Sequence, residues 1–238
     1  MGLAPESLSR RSYVYRELVG LGAAFAEING AACAMRCGAS IDDEAECARE
    51  LAICDLSPLP RAGFKGRETI AWLAAHGVAV SATNNMTVVQ DDGARAARLA
   101  DGEVLLLSDL AVESNLCARL AVAWSPDPDP GAYPVPRADT NCWFLIPGRR
   151  AAEMLAKVCG VDLRPHKFPD GAIAQTSVAR LNAIVLRGDL GDTLAFHLLT
   201  DSASASYMWE SLLDAMDEFD GRPVGLAAVR MLAASGTP

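Results

Sequence analysis

The strongest constraint on this chain is a pattern that it uses twice. GRETIAWLAAHGV at Gly66–Val78 returns as GRRAAEMLAKVCGV at Gly148–Val161, each reading Gly-Arg, a spacer, Leu-Ala and a Gly-Val stop. AARL at Ala96–Leu99 is answered by VARL at Val178–Leu181, and LLLSDLAVESNLCARL from Leu105 by HLLTDSASASYMWESLL from His197. Each half therefore reads strand, helix, two or three strands, helix. Two copies with the same hydrophobic period must bury the same faces, so the repeat limits the fold more than composition does. The expected class is α+β, built as tandem ferredoxin-like split βαβ modules.

Between the halves lies SPDPDPGAYPVPR (Ser125–Arg137), which holds five of the thirteen prolines. Proline fixes φ and withholds a donor, so the segment reads as an extended connector, and equally as a surface loop inside one domain. The expected division is 1–124 for an N-terminal hairpin plus the first module, 125–137 for the connector and 138–238 for the second module. Upstream, Val14, Leu18, Leu21 and Phe25 fall near helical spacing, so a short helix starts after Ser12. AAFAEI and AACAMR flank Asn29-Gly30, a type I′ hairpin signal, because both central residues tolerate positive φ. Ser40 with Asp43 resembles a capping box that opens a helix through about Ala52. The tail PVGLAAVRML reads as a helix from Pro223, with proline in its first turn.

At 238 residues the chain can bury a substantial core. Its net charge of −9 repels phosphate backbones and anionic lipid, which argues against a nucleic-acid partner and against a membrane surface. The N-terminus lacks an apolar run of signal-peptide length, and the apolar stretch from Leu21 is broken by Glu27, Asn29 and Arg36. Seven scattered cysteines fit reduced, buried thiols in a cytoplasmic protein better than a disulfide framework. Cys33 and Cys37 have no Cys-x-x-Cys or His-x-x-x-His companion, so no metal site is expected. There is no Gly-rich dinucleotide fingerprint, which leaves a flavin or NAD to a partner chain.

RSYVYRELVGLGAAFAEING, followed by AECARELAICDLSPLPRAGFKG, resembles the opening of the glycine-cleavage aminomethyltransferase (T-protein) superfamily. CGVDLRPHKFPDGAIAQTSVARLNAIVLR (Cys159–Arg187) is similar to the signature of the gamma subunits of heterotetrameric sarcosine oxidases, and PVGLAAVRML to a Gly-Leu-x-Ala-Arg helix of T-proteins. The resemblance runs along nearly the whole chain and implies the aminomethyltransferase folate-binding fold, without the C-terminal barrel that T-proteins carry. It further implies an accessory, T-protein-like subunit of a multi-subunit oxidative N-demethylase acting on a methylated amine. In that setting redox-cofactor-bearing subunits, flavin among the cofactors, would be the partners. The chain would be structural or would assist tetrahydrofolate-dependent capture of formaldehyde. The alternative is a tetrahydrofolate-binding, aminomethyltransferase-like subunit of another methylamine system, with dimethylamine as an example.

On that resemblance the family's catalytic carboxylate falls at Asp92, although the Gly-Gly of the family pattern is absent. A paired carboxylate can hold one raised pKa and serve as acid or base, but Asp91-Asp92-Gly93 is also an ordinary hairpin turn. The family's folate-contacting Gly-Tyr-Thr-Gly-Glu is matched by Gly188, Gly191 and Asp192. There a carboxylate could pair with pterin N–H groups, yet a two-glycine loop between strands needs no ligand. Arg164, His166, Lys167 and Phe168 form a proline-flanked basic loop, the expected docking surface for a partner. His76, at a helix C-terminus, and His197, in a strand, read as structural.

Overall fold

The computed structural model describes residues 3–126 and 128–235. The chain opens with β1 (Arg10–Arg11), α1 (Tyr15–Gly20), β2 (Ala24–Ile28) and β3 (Ala31–Arg36), whose strands form a sheet in the order β1-β3-β2. Asn29 and Gly30 sit at φ 53° and 71°, the type I′ geometry that this dipeptide favours. Ser40 caps α2 (Ile41–Glu50): its Oγ accepts the Asp43 N–H at 3.1 Å and donates to Asp43 Oδ2 at 2.6 Å. The helix stops short of Ala52 because Leu51 is extended and leads directly into β4 (Ala52–Asp55).

β5 (Arg61–Lys65), α3 (Thr69–Ala75), β6 (Met86–Val89), β7 (Arg95–Ala100), β8 (Glu103–Leu107), α4 (Leu116–Ala123) and β9 (Tyr133–Val135) follow. Their strands make an antiparallel five-stranded sheet ordered β6-β7-β8-β5-β9. The pattern then recurs as β10 (Asn141–Pro147), α5 (Ala151–Leu155), β11 (Ile173–Val178), β12 (Leu181–Arg187), β13 (Ala195–Asp201) and α6 (Ala205–Met216). β14 (Arg222–Pro223) and α7 (Leu226–Ala234) close the chain, and the second sheet is ordered β11-β12-β13-β10-β4-β14. In each sheet the two strands joined by the first helix are split apart by two others. The fold is thus α+β, with the repeat visible in its topology.

The compact units cut across chain order. One takes the described residues up to Pro58, Asn141–Asp170 and those from Ala174 onward; the other takes Leu59–Thr140 and Gly171–Ile173. Where the sequence suggests a boundary at 125–137, contacts divide the chain at 58–59 and 140–141, and part of the Pro-rich segment is strand β9. The first unit buries Trp143, Phe144, Phe196 and Trp209, with Phe144 edge-on to Trp209 at 5.3 Å between centroids. The second packs Phe64, Leu73, Val104, Leu106, Leu116 and Leu120, with Trp72 tilted over Phe64.

Gly66 and Gly148, the repeated glycines, are fixed by tertiary contact. They adopt φ 146° and 127°, and an added Cβ would lie 2.2 Å from the Gly131 carbonyl oxygen or 2.3 Å from that of Glu50. Another echo is only one of sequence. Ala96–Leu99 lies inside β7, whereas Ala179 and Arg180 turn between β11 and β12 at φ 45° and 68°. That turn is pinned by hydrogen bonds from Ala179 N to Val158 O and from Tyr207 Oη to Ala179 O. The tail also differs from expectation: Pro223 lies in β14 beside Ile53, and the helix starts only at Leu226. The reason is Glu44, whose Oε2 accepts the N–H of the helix-capping Gly225 at 2.8 Å.

Candidate functional site

The β12–β13 loop and the loop after α5 meet around one side chain. Arg187, the last residue of β12, donates through Nη1 to Pro165 O (3.2 Å) and Phe168 O (2.8 Å). Its Nε and Nη2 reach Asp189 Oδ1 and Oδ2 at 3.0 and 2.6 Å, a bidentate, largely buried pair. Asp189 Oδ1 also accepts the Ala195 N–H, while the Asp189 N–H donates to Asp170 Oδ1. The structure thus brings Arg164–Phe168 and Gly188–Asp192 together in one corner, organised by a residue pair that motif matching did not single out. The signal was present as an Arg-Gly-Asp at a strand end, where a fork of five donors can clamp a neighbouring loop.

Within that corner the candidate residues play unequal parts. Gly188 is buried and its N–H donates to Ala195 O; Leu190 and Thr193 exchange backbone hydrogen bonds across Gly191, at φ 56°. At the tip of the loop Gly191 and Asp192 are exposed, so the carboxylate of Asp192 is open to a ligand. Phe168, expected on the docking surface, is instead buried and faces Phe196 at 6.3 Å between centroids. An aromatic ring next to a carbonyl clamp anchors the loop from beneath. Arg164, His166 and Lys167 are exposed, and Arg164 pairs bidentately with Asp162, whose carboxyl it holds well below the usual carboxylate range.

Asp92 lies in the other unit, in the β6–β7 turn. Its Oδ1 accepts the Ala94 N–H at 3.1 Å and its Oδ2 accepts the Ser114 hydroxyl at 2.7 Å. Both oxygens are thereby engaged in holding the turn. His76 caps α3, with Nδ1 2.8 Å from Trp72 O, and His197 is a buried strand residue whose Nδ1 accepts the Trp143 indole N–H at 3.1 Å. Both match the structural roles expected of them.

A cleft of about 750 Å³ opens beside α2, lined by Cys37, Cys47, Glu44, Arg150, Phe219 and Arg222 among others. Glu44 is its buried anchor: Oε1 accepts the Cys37 N–H at 2.6 Å and Oε2 that of Gly225. All seven cysteines are free thiols. Burial pushes Cys37 up to about 12 and Cys117 to about 11, and raises Cys33 and Cys54 further, which keeps them protonated and unreactive. Among the described residues no group of three or more His, Cys, Asp or Glu side chains is placed to hold a metal, and no helix is long and apolar enough to cross a membrane.

The family model of the GCVT N-terminal domain matches residues 14–235. No curated protein matches the chain. Among solved structures, the glycine cleavage system aminomethyltransferase T from Bartonella henselae is similar, with a TM-score of 0.68 and 15% identity. That match covers 94% of this chain, which spans 62% of the length of the enzyme. A chain of the heterotetrameric sarcosine oxidase from Corynebacterium sp. U-96, in complex with pyrrole 2-carboxylate, has a TM-score of 0.64 and 20% identity. There the match covers 88% of this chain and 96% of the other. At these identities the likeness is one of fold.

Proposed function

As the chain belongs to the GCVT N-terminal domain family, we propose that it is an accessory, T-protein-like subunit of a multi-subunit oxidative N-demethylase. The assembly would resemble sarcosine oxidase and act on a methylated amine. The observation that carries this reading is the employment of Asp92. Its oxygens accept from Ala94 in the turn and from Ser114 before α4, so the carboxylate that the resemblance assigns to the catalytic place would serve the fold rather than proton transfer. The similarity in fold to a chain of a heterotetrameric oxidase supports a place among partners. Those partners would carry the redox cofactor, a flavin in the simplest case, and perform the amine oxidation. Tetrahydrofolate would supply capture of the released one-carbon unit. This chain's part would be to hold those subunits in register.

A tetrahydrofolate-binding subunit of another methylamine system, such as one for dimethylamine, is the second reading. It is favoured by the folate-binding type of the family fold and by the exposed carboxylate of Asp192. Affinity purification from the native source, with calorimetry of the purified complex against tetrahydrofolate, separates the two. The first reading expects stoichiometric redox subunits and folate binding unchanged by Asp192→Ala; a lone monomer would overturn it. The second expects folate binding that Asp192→Ala abolishes.

A further inference from the structure

Two guanidinium groups converge on one ring near the N-terminus. Arg11 Cζ lies 5.0 Å and Arg16 Cζ 5.4 Å from the centroid of Tyr15. Like charges drawn to one ring repel each other, and a compensating carboxylate would ordinarily be found beside them. Among the described residues, neither the Arg11 nor the Arg16 side chain makes a hydrogen bond or an ion pair. The adjacent acid, Glu17, faces elsewhere, accepting the Ser206 hydroxyl at 2.9 Å. Other arginines of the molecule do find a carboxylate. Arg49, Arg67, Arg98, Arg137, Arg149, Arg150, Arg164 and Arg187 all have carboxylate partners, in a chain of net charge −9.

The convergent cations border an apolar strip. Tyr15 and Val19 are four apart on α1, and Arg16 and Val19 three apart, so they share a face. Val19 is 45% exposed and Leu21, just past the helix, 44%, two of the few large apolar side chains in the molecule left so open. Tyr and Arg around exposed aliphatic groups are the composition of an interface centre rather than of an ordinary solvated face. Contact with one ring also limits the freedom of both guanidiniums before any partner arrives, which lowers the ordering cost of association.

We propose that Arg11, Tyr15, Arg16, Val19 and Leu21 form a docking surface for an acidic-rimmed apolar patch on a partner protein. The partner supplies the carboxylates that this chain withholds from Arg11 and Arg16. The inference deepens the reading of the chain as an accessory subunit and rests on it. It also moves the contact away from the 164–168 loop, whose aromatic residue is buried and whose arginine is already paired.

The test uses the assembly purified through a tag on this chain. In it, amides of residues 11–21 exchange more slowly than in the free chain, and raising the salt concentration dissociates the partner. Arg11→Glu with Arg16→Glu weakens the partner on the order of 30-fold or more. His166→Glu with Lys167→Glu, a comparable change of charge, leaves it in place. If the wild-type chain brings down no stoichiometric subunit, the accessory-subunit reading fails. If it does, but residues 11–21 stay unprotected or the double arginine variant retains the partner, the docking surface is wrong. Binding of the free chain to phosphatidylserine vesicles, lost in the same variant, would reassign the surface to a membrane and equally overturn the proposal.

Discussion

β9 and β4 hold the same place in the two sheets, each antiparallel to the first strand of its module, yet they arrive from opposite directions along the chain. β9 follows its module, has three residues with Pro134 in the middle, and forms the edge of its sheet. β4 precedes its module, is buried at every position, and is covered on its far side by β14. A proline is tolerated where no ladder donor is needed, as at an edge, and excluded from positions paired on both sides. One plan is thus finished in two ways: by a short blunted edge, or by strands borrowed from both ends of the chain. The borrowed strands make the first unit discontinuous in sequence.

That comparison can be broken by core truncation, the largest effect expected. Phe144→Ala and Phe64→Ala should each cost about 3–5 kcal/mol, with hydrogen exchange accelerating mainly in β10–β13 for the first and in β5–β8 for the second. Uniform acceleration in both sheets by either variant would mean that the modules open as one. The repeated glycines give a smaller and sharper contrast. Gly148→Ala drives a Cβ into the Glu50 carbonyl just before buried β4, and Gly66→Ala into Gly131 just before edge β9. Urea titration should show losses of about 2–4 kcal/mol, larger for Gly148→Ala because β4 has less room to shift.

The smallest effect is one of pH. Cys37 and Cys117 are protonated in the fold up to about 12 and about 11, whereas exposed thiols ionise near 9.0. Above that value the unfolded chain releases protons that the folded one retains. Stability is therefore intact below pH 9.0 and declines as pH rises toward 11 and 12. Urea midpoints at about pH 8 and about pH 10.5 should diverge less in Cys37→Ala, and in Cys117→Ala, than in the parent chain. An unchanged difference would show that these thiols are open to solvent.

Local chemistry was legible wherever a residue's own backbone preference decides the outcome. Asn29-Gly30 turned the hairpin because both residues accept positive φ, and Ser40 opened α2 because its hydroxyl reaches the Asp43 amide. The same logic failed at Pro223, where a rule for helix starts met a strand pairing with Ile53 and a capping carboxylate from Glu44. In the candidate site, the sequence points to the carboxylate of Asp192, whereas the one that the fold employs is Asp189, selected by the reach of Arg187. Phe168 belongs by sequence to a basic, proline-flanked loop and is nonetheless buried; burial of one residue in a loop leaves no periodic trace.

The sequence by itself determined the modular plan, the α+β class and the membership of a family, because repeated periodicity and ordered short motifs are properties of the chain alone. Only the tertiary structure decided which distant segments complete each sheet. It also determined which carboxylates are consumed in turns and clamps, and which arginines are left without one. Those outcomes depend on side chains far apart in sequence competing for the same few donors and acceptors, and no local rule contains that competition.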